Sequence, residues 1–121
     1  MTHILAVAAG GAVGSVLRYL ISRVPFVSAF PWTTLLVNLA GSFLLGLFIA
    51  TAGTRVSVSQ ESHAFVSIGL LGGFTTFSTF SHQTLSLWQA EQFAFAGLNV
   101  VLNVVLGLSA AWLGWRLGRA I

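Results

Sequence analysis

The residues best suited to chemistry lie in one unusual apolar segment, "GGFTTFSTF", which runs from Gly72 to Phe80. Two adjacent glycines weaken a helix, and the β-branched threonines that follow favour extended backbone. A break in the helix is therefore expected near Gly72–Thr76. Such a break frees backbone carbonyl oxygens, which can coordinate a small hard cation such as Na⁺.

Aromatic and hydroxyl side chains follow directly after the expected break. Phe77 and Phe80 stand three residues apart and share one face of a helix. An aromatic ring has a positive edge, so an anion can bind against the two ring edges. Ser78 and Thr79 add hydroxyl donors beside them. Two interpretations stay open from these residues alone: the rings bind an anion, or they fill the interior of a helical bundle.

Two further sets of polar residues recur at helical spacing in apolar surroundings. Thr34, Asn38 and Ser42 share one face of a second helix, and Asn99 and Asn103 share a face of a fourth. An amide exposed to lipid would lose its hydrogen bonds to water at a cost of several kcal/mol. These side chains must therefore face protein or a wet pathway. Interhelical hydrogen bonding is one interpretation, and a polar track through the membrane is the favoured one.

The charged residues restrict the kind of solute that such a track would carry. Arg18 lies inside the first apolar stretch, where an ionisable residue is a functional candidate, although a structural role at the rim of a vestibule is equally compatible. The acidic residues are Glu61 and Glu91, both at predicted helix ends, and there is no aspartate. A track with donors and without a buried negative charge suits an anion or a neutral solute. No catalytic group has a visible partner, so an enzyme is not expected.

The elements that position these residues are four apolar stretches of membrane-spanning length. The chain has 121 residues, of which 56% are hydrophobic and 6% charged, a composition typical of membrane proteins. A spanning helix needs ~20 mainly apolar residues, and the candidates are Ile4–Val24, Thr33–Gly53, Ala64–Trp88 and Phe93–Trp115. Together they predict an all-α membrane protein with a single four-helix domain over residues 1–121. The absence of cysteine excludes disulfides and thiolate metal sites.

The distribution of arginine bears on orientation in the membrane. With four spans, Arg55, Arg116 and Arg119 fall on one side, and Arg23 and Arg18 on the other. Because arginine and lysine orient membrane proteins, so weak a bias is compatible with insertion in both orientations or in one. The arginines are too dispersed to form a nucleic-acid-binding face.

Glycines at four-residue spacing predict close helix packing and oligomerisation. The pairs are Gly10 and Gly14, Gly69 and Gly73, and Gly114 and Gly118.

The sequence also resembles a known family along nearly its whole length. "GGFTTFSTF" (Gly72–Phe80) is similar to the signature of the Fluc/CrcB family of bacterial fluoride channels. "GGAVGSVLRY" (Gly10–Tyr19), "TLLVNLAGSFLLG" (Thr34–Gly46) and "NVVLGLSAAWLG" (Asn103–Gly114) resemble the other three helices in the same order. The resemblance implies a passive fluoride-selective channel of the bacterial cytoplasmic membrane, which exports fluoride. It also implies an antiparallel, dual-topology homodimer with two pores and a structural Na⁺ at its centre.

The resemblance assigns roles to individual residues. The Na⁺ would be held by the main-chain carbonyls of Gly72 and Thr75 from both subunits. The fluoride pore would be formed by Phe77, Phe80, Asn38, Ser78, Thr79 and Arg18, with Arg18 at the entrance.

The chain departs from the family pattern at three polar positions. Asn99 and Asn103 stand where relatives often carry tyrosine and serine, and both are included among the pore residues. Gln83 stands where many relatives carry glutamate. The alternatives to a channel are a small dual-topology multidrug exporter, which the lack of a membrane carboxylate disfavours, and a non-transporting assembly subunit.

Overall fold

The computed structural model describes residues 1–54 and 57–121, and the regular structure of these residues is entirely helical. The elements are α1 (Thr2–Ser22), α2 (Trp32–Thr54), α3 (Gln60–His63), a π-helical segment (Ala64–Leu70), α4 (Leu71–Phe74), α5 (Phe77–Gln89) and α6 (Phe93–Ala120). The pieces from α3 to α5 form one composite third span. Among the described residues, four helices are therefore long and apolar enough to cross a membrane, as predicted. Arg55, which the sequence places on the same side of the membrane as Arg116 and Arg119, lies outside the described residues.

The last helix is longer than its apolar run. The sequence predicts an end at Trp115, whereas α6 continues to Ala120. The added turn carries Arg116 and Arg119, whose guanidinium groups lie 5.7 and 5.0 Å from the ring centroids of Trp112 and Trp115. Because cation–π contacts one turn apart stabilise both partners, the helix persists where apolarity stops.

Glycines bring the spans together in two pairs. A Cβ atom on Gly10 or Gly14 would collide with the backbone of the π-helical segment, and one on Gly69 would lie 2.8 Å from a carbonyl oxygen of α1. In the second pair, a Cβ atom on Gly114 of α6 would collide with the Phe43 carbonyl oxygen of α2. The predicted close packing is confirmed, and it occurs within one chain.

The third span is broken where the sequence predicts a break. Helix α4 ends at Phe74, and Thr75 (φ −77°, ψ 159°) and Thr76 (φ −151°, ψ 113°) are extended before α5 begins at Phe77. Gly72 is still helical. The irregular backbone is therefore confined to the two β-branched threonines, which favour extended conformations.

The π-helical turns before the break have no signal in the sequence. They run from Ala64 to Leu70 and contain Gly69, the residue that approaches α1 closely. Such turns are rare and concentrate near functional sites. Here they precede α4 and the break directly.

A tight turn returns the chain from α5 to α6. Glu91 adopts a left-handed conformation with φ 58°, and its N–H donates to the Trp88 carbonyl at 3.0 Å. The Gln92 N–H donates to the Leu87 carbonyl at 2.9 Å. This cap satisfies carbonyls at the end of α5 and lets α6 run back beside it.

Candidate functional site at the helix break

A groove of about 290 Å³ lies beside the break and is called here the phenylalanine groove. The predicted site residues among its lining are Asn38, Gly72, Thr75, Phe77, Phe80 and Asn103. They come from the second, third and fourth spans. The fold therefore brings six of the predicted site residues to one groove.

Two aromatic rings form one wall of the groove. The centroids of Phe77 and Phe80 are 5.3 Å apart, and the ring planes are inclined by 58°. Phe80 is 8% exposed, whereas Phe77 is 78% exposed. The spacing of three residues does place both rings on one face of α5. Phe80 is fixed by the bundle, and Phe77 stands at its open edge.

Asn38 of α2 is paired with the broken backbone. Its Oδ1 atom accepts a hydrogen bond from the Thr76 N–H at 2.9 Å, and its Nδ2 atom donates to the Thr76 carbonyl at 3.3 Å. The side-chain amide thus pairs with both polar groups of Thr76, as a neighbouring strand would. This pairing satisfies backbone groups that the break releases and ties the break to the second span.

The same amide continues into a directional series of hydrogen bonds, called here the amide ladder. The Asn38 Nδ2 atom donates to Asn103 Oδ1 at 3.0 Å, and Asn103 Nδ2 donates to the backbone and side-chain oxygens of Asn99 at 3.0 and 2.9 Å. Asn99 Nδ2 donates to the Thr84 hydroxyl at 2.9 Å, which donates to the Phe80 carbonyl at 2.8 Å. The ladder joins three spans around the segment that carries the two rings.

Backbone groups fix the direction of the ladder. The Thr76 N–H at one end can only donate, and the carbonyls of Asn99 and Phe80 can only accept. Each amide oxygen and nitrogen therefore has one consistent assignment. Asn99 is fully buried and lines neither the groove nor the second cavity described below. Its side-chain amide forms an interhelical hydrogen bond with Thr84. Interhelical bonding is one of the two interpretations that the sequence left open for these asparagines.

The break also frees the two carbonyls to which the sequence analysis assigned a cation. In a continuous helix the Gly72 carbonyl would accept from the Thr76 N–H, but that N–H donates to Asn38. The Thr75 carbonyl would accept from the Thr79 N–H, but that N–H donates to the Thr76 hydroxyl at 3.2 Å. Both oxygens have lost their helical donors, and neutral oxygens are suitable ligands for a hard cation. The residues present therefore fit a small cation.

A second cavity of about 550 Å³ adjoins Thr76 and is called here the Arg18 cavity. Its polar lining includes Arg18, Thr34, Thr76, Thr79 and Gln83. Because Thr76 lines both cavities, the two cavities meet at this residue. Thr34 and Asn38 are one turn apart on α2 and line different cavities, so the predicted stripe extends past the break.

Two of the predicted pore residues are placed differently, because Arg18 lines a cavity and Ser78 does not. Arg18 is half-buried in the wall of the Arg18 cavity. Ser78 is exposed on α5 and lines neither cavity, although its hydroxyl lies 3.4 Å from the Thr76 hydroxyl. Gln83 Oε1 is buried without a hydrogen-bond partner among the described residues and belongs to the wall that contains Arg18.

Sequence reasoning assigned no specific role to two residues that hold the site. Thr76 caps α5 and pairs with Asn38, and its position just before Phe77 is the one signal that could have identified it. Thr84 closes the amide ladder against Phe80 and has no signal beyond its spacing of four residues.

Comparison with known proteins identifies the family. The family model described as "CrcB-like protein, Camphor Resistance (CrcB)" matches residues 5–115. The chain is similar to proteins named "Fluoride-specific ion channel FluC". The relative from Shewanella amazonensis is 48% identical over 120 residues, covering 97% of this chain and 96% of the relative. The relative from Geobacter sulfurreducens is 46% identical over 124 residues, covering all of both chains. The relative from Shewanella frigidimarina is 52% identical over 120 residues, covering 97% of this chain and 96% of the relative. The chain belongs to the CrcB-like family.

Proposed function

We propose that the protein is a passive channel through which fluoride leaves the bacterial cytoplasm, as a multi-pass protein of the cytoplasmic membrane. The relatives that span nearly the whole chain are bacterial and carry the name of a fluoride-specific ion channel. Four helices of spanning length support the location. A channel, rather than an enzyme, is what the relatives' name describes.

The observation that carries the proposal is the pair of cavities that meet at Thr76. The Arg18 cavity contains a cationic side chain and hydroxyl groups, and the phenylalanine groove presents two rings and two amides. No acidic side chain lines either cavity among the described residues. Positive charge, hydroxyl donors and ring edges all favour an anion. Fluoride, as a small anion, would pass from the Arg18 cavity along Thr79 to the rings.

An antiparallel second copy would complete the groove. Phe77 is largely exposed in a single chain. A Cβ atom on Gly72 would meet only the Ser67 carbonyl oxygen, at 3.8 Å, so the chain itself leaves this position open. An exposed ring and an open glycine that line one groove of a span are suited to close approach by another helix. Two-fold symmetry would give the dimer two grooves and hence two pores.

The same symmetry would bring four carbonyl oxygens together. Gly72 and Thr75 of each copy would hold one Na⁺ at the centre of the dimer, since both oxygens have lost their helical donors. The ion would supply a fixed positive charge that holds the two breaks together. Its role is structural.

The proposal is tested by ion efflux from proteoliposomes loaded with fluoride or with chloride. Purified protein should release fluoride at a rate set by the membrane potential, while chloride is retained. Protein-free liposomes provide the control for leakage. Equal release of both anions would contradict selectivity, and release that requires a proton or sodium gradient would indicate a coupled exporter instead of a channel.

A further inference from the structure

We infer that Asn103 sets the affinity of the pore for fluoride by competing with the anion for one N–H of Asn38. This inference rests on the proposed function and adds a mechanism to it. Asn103 would be a specificity-determining residue that acts through Asn38, and Asn99 would be the positioning residue that keeps Asn103 in the required orientation.

The side-chain amide of Asn38 has its oxygen and both hydrogens occupied by hydrogen bonds. Its oxygen is occupied by the Thr76 N–H at 2.9 Å. Of its two amide hydrogens, one is directed to the Thr76 carbonyl at 3.3 Å and the other to Asn103 Oδ1 at 3.0 Å. The amide has no unused donor in this conformation. An anion that binds Asn38 must therefore replace one of the two acceptors.

Of these two acceptors, Asn103 is the one that an anion can replace. The Thr76 carbonyl belongs to the residue whose N–H also holds the Asn38 oxygen, so losing this contact would loosen the break itself. Asn103 belongs to another helix and lines the groove beside Asn38. An anion in the groove can therefore reach the N–H that is directed to Asn103 while the pairing with Thr76 stays intact.

The competition for the Asn38 N–H depends on the orientation of the Asn103 amide. If its amide rotated by half a turn, two NH₂ groups would face each other across the contact with Asn38, and the competition would disappear. The backbone carbonyl and the side-chain oxygen of Asn99 prevent this rotation, because both accept from Asn103 Nδ2. Asn99 thus keeps an acceptor, rather than a donor, directed at Asn38.

The exchange has a direct consequence for conduction. A hydrogen bond to an anion is roughly twice as strong as one between neutral groups. Fluoride can therefore displace Asn103 from the Asn38 N–H. The binding free energy that it gains is only the difference between the new hydrogen bond and the one that it replaces. Conduction requires binding that is weak enough to allow release. Asn103 would weaken binding in this way and so speed the exit of the ion.

The test replaces Asn103 with leucine, which has similar volume and no acceptor. With its N–H unoccupied, Asn38 should bind fluoride more tightly. We expect the half-saturating fluoride concentration of the single-channel current to fall about tenfold, equivalent to ~1.4 kcal/mol, and the maximal current to fall because release is slower. Fluoride-19 NMR titration of the purified protein should show the same increase in affinity.

Three further variants make the result specific. Asn103→Ala should shift the half-saturating concentration in the same direction by less, because water can enter and accept from Asn38. It decides the question if the leucine variant does not fold. Asn99→Leu should have a smaller effect than Asn103→Leu, since the Asn99 backbone carbonyl still holds the Asn103 amide. Ser109→Ala is the matched control, because this exposed hydroxyl of α6 donates to the Val105 carbonyl of its own helix, at 2.8 Å.

The outcomes separate this inference from the proposed function. A parent protein that neither binds nor conducts fluoride refutes both. If the parent conducts and the Asn103 variants lose maximal current at an unchanged half-saturating concentration, Asn103 is a packing residue and the inference is wrong. An unchanged current and an unchanged affinity overturn it equally.

Discussion

Replacing Thr76 by valine should remove the cap of α5 without changing the shape of the break. Valine is β-branched, so it keeps the extended backbone and the pairing of the peptide with Asn38. It loses the hydroxyl that accepts from the Thr79 N–H at 3.2 Å and donates to the Thr79 hydroxyl at 3.0 Å. Loss of an N-cap costs about 1 kcal/mol, and loss of the hydrogen bond to the half-buried Thr79 hydroxyl about 1 kcal/mol more. We expect the free energy of unfolding to fall by about 2 kcal/mol.

The substitution should leave the proposed cation site unchanged. With Thr75 and Thr76 still extended, the Thr75 carbonyl keeps its direction, so the Thr79 N–H cannot become its donor as it would in a continuous helix. Thr76→Val should therefore retain Na⁺ in the proposed dimer as the parent does. The assays are reversible unfolding in mixed detergent micelles and a titration of dimer stability with sodium at constant ionic strength.

The neighbouring threonine provides the matched control. The Thr75 hydroxyl donates to the Leu71 carbonyl, which already accepts from the Thr75 N–H at the same distance of 3.0 Å. Thr75→Val should therefore cost less than about 0.5 kcal/mol, since the carbonyl keeps a donor. Thr76→Ser retains a capping hydroxyl and should resemble the parent. If Thr75→Val and Thr76→Val destabilise equally, the side chain of Thr76 does not hold the break and the reasoning is wrong.

Four other predictions follow from the site. Phe77→Ile and Phe80→Ile should each reduce fluoride flux sharply while size exclusion still shows the proposed dimer; normal flux would mean that the rings only pack the bundle. Asn38→Asp should conduct less than Asn38→Ala, because its second carboxylate oxygen would face two acceptors. Gly72→Val should leave a folded monomer but no dimer, whereas Gly73→Val, whose side chain would meet α1 at 2.8 Å, should impair folding, as expression and size exclusion will show. Two or three lysines added at the C-terminus should fix one orientation and abolish flux unless an oppositely biased copy is co-expressed; full activity alone would exclude dual topology.

Composition predicts the spans because apolar length is a local property, but it does not predict where the helices end. Helix α6 continues through Arg116 and Arg119, because their contacts with tryptophans favour helix after apolarity has ceased. The break is predictable because its cause is local, in two glycines followed by two threonines. The confinement of the irregular backbone to Thr75 and Thr76 depends instead on Asn38, which is 38 residues away from Thr76 in sequence.

The candidate site shows the same limit. The polar residues are recognisable individually, because an asparagine in an apolar helix must find a partner. Which partner it finds depends on how the helices cross. Asn99 bonds to Thr84 and lies fully buried, whereas Asn103, one turn away on the same helix, faces the groove. No spacing rule distinguishes these two positions, since both belong to one stripe.

The proposed cation site and the proposed anion path are connected through one peptide group. The Thr76 N–H would have satisfied the Gly72 carbonyl in a continuous helix, and its transfer to Asn38 frees that carbonyl for a cation. The same contact fixes the Asn38 oxygen, so the amide hydrogens must point away from it, and one of them reaches Asn103 in the groove. Freeing the carbonyl and orienting the donor are therefore two results of a single hydrogen bond. A continuous helix would abolish both, because the Gly72 carbonyl would recover its donor and Asn38 would lose the partner that orients it.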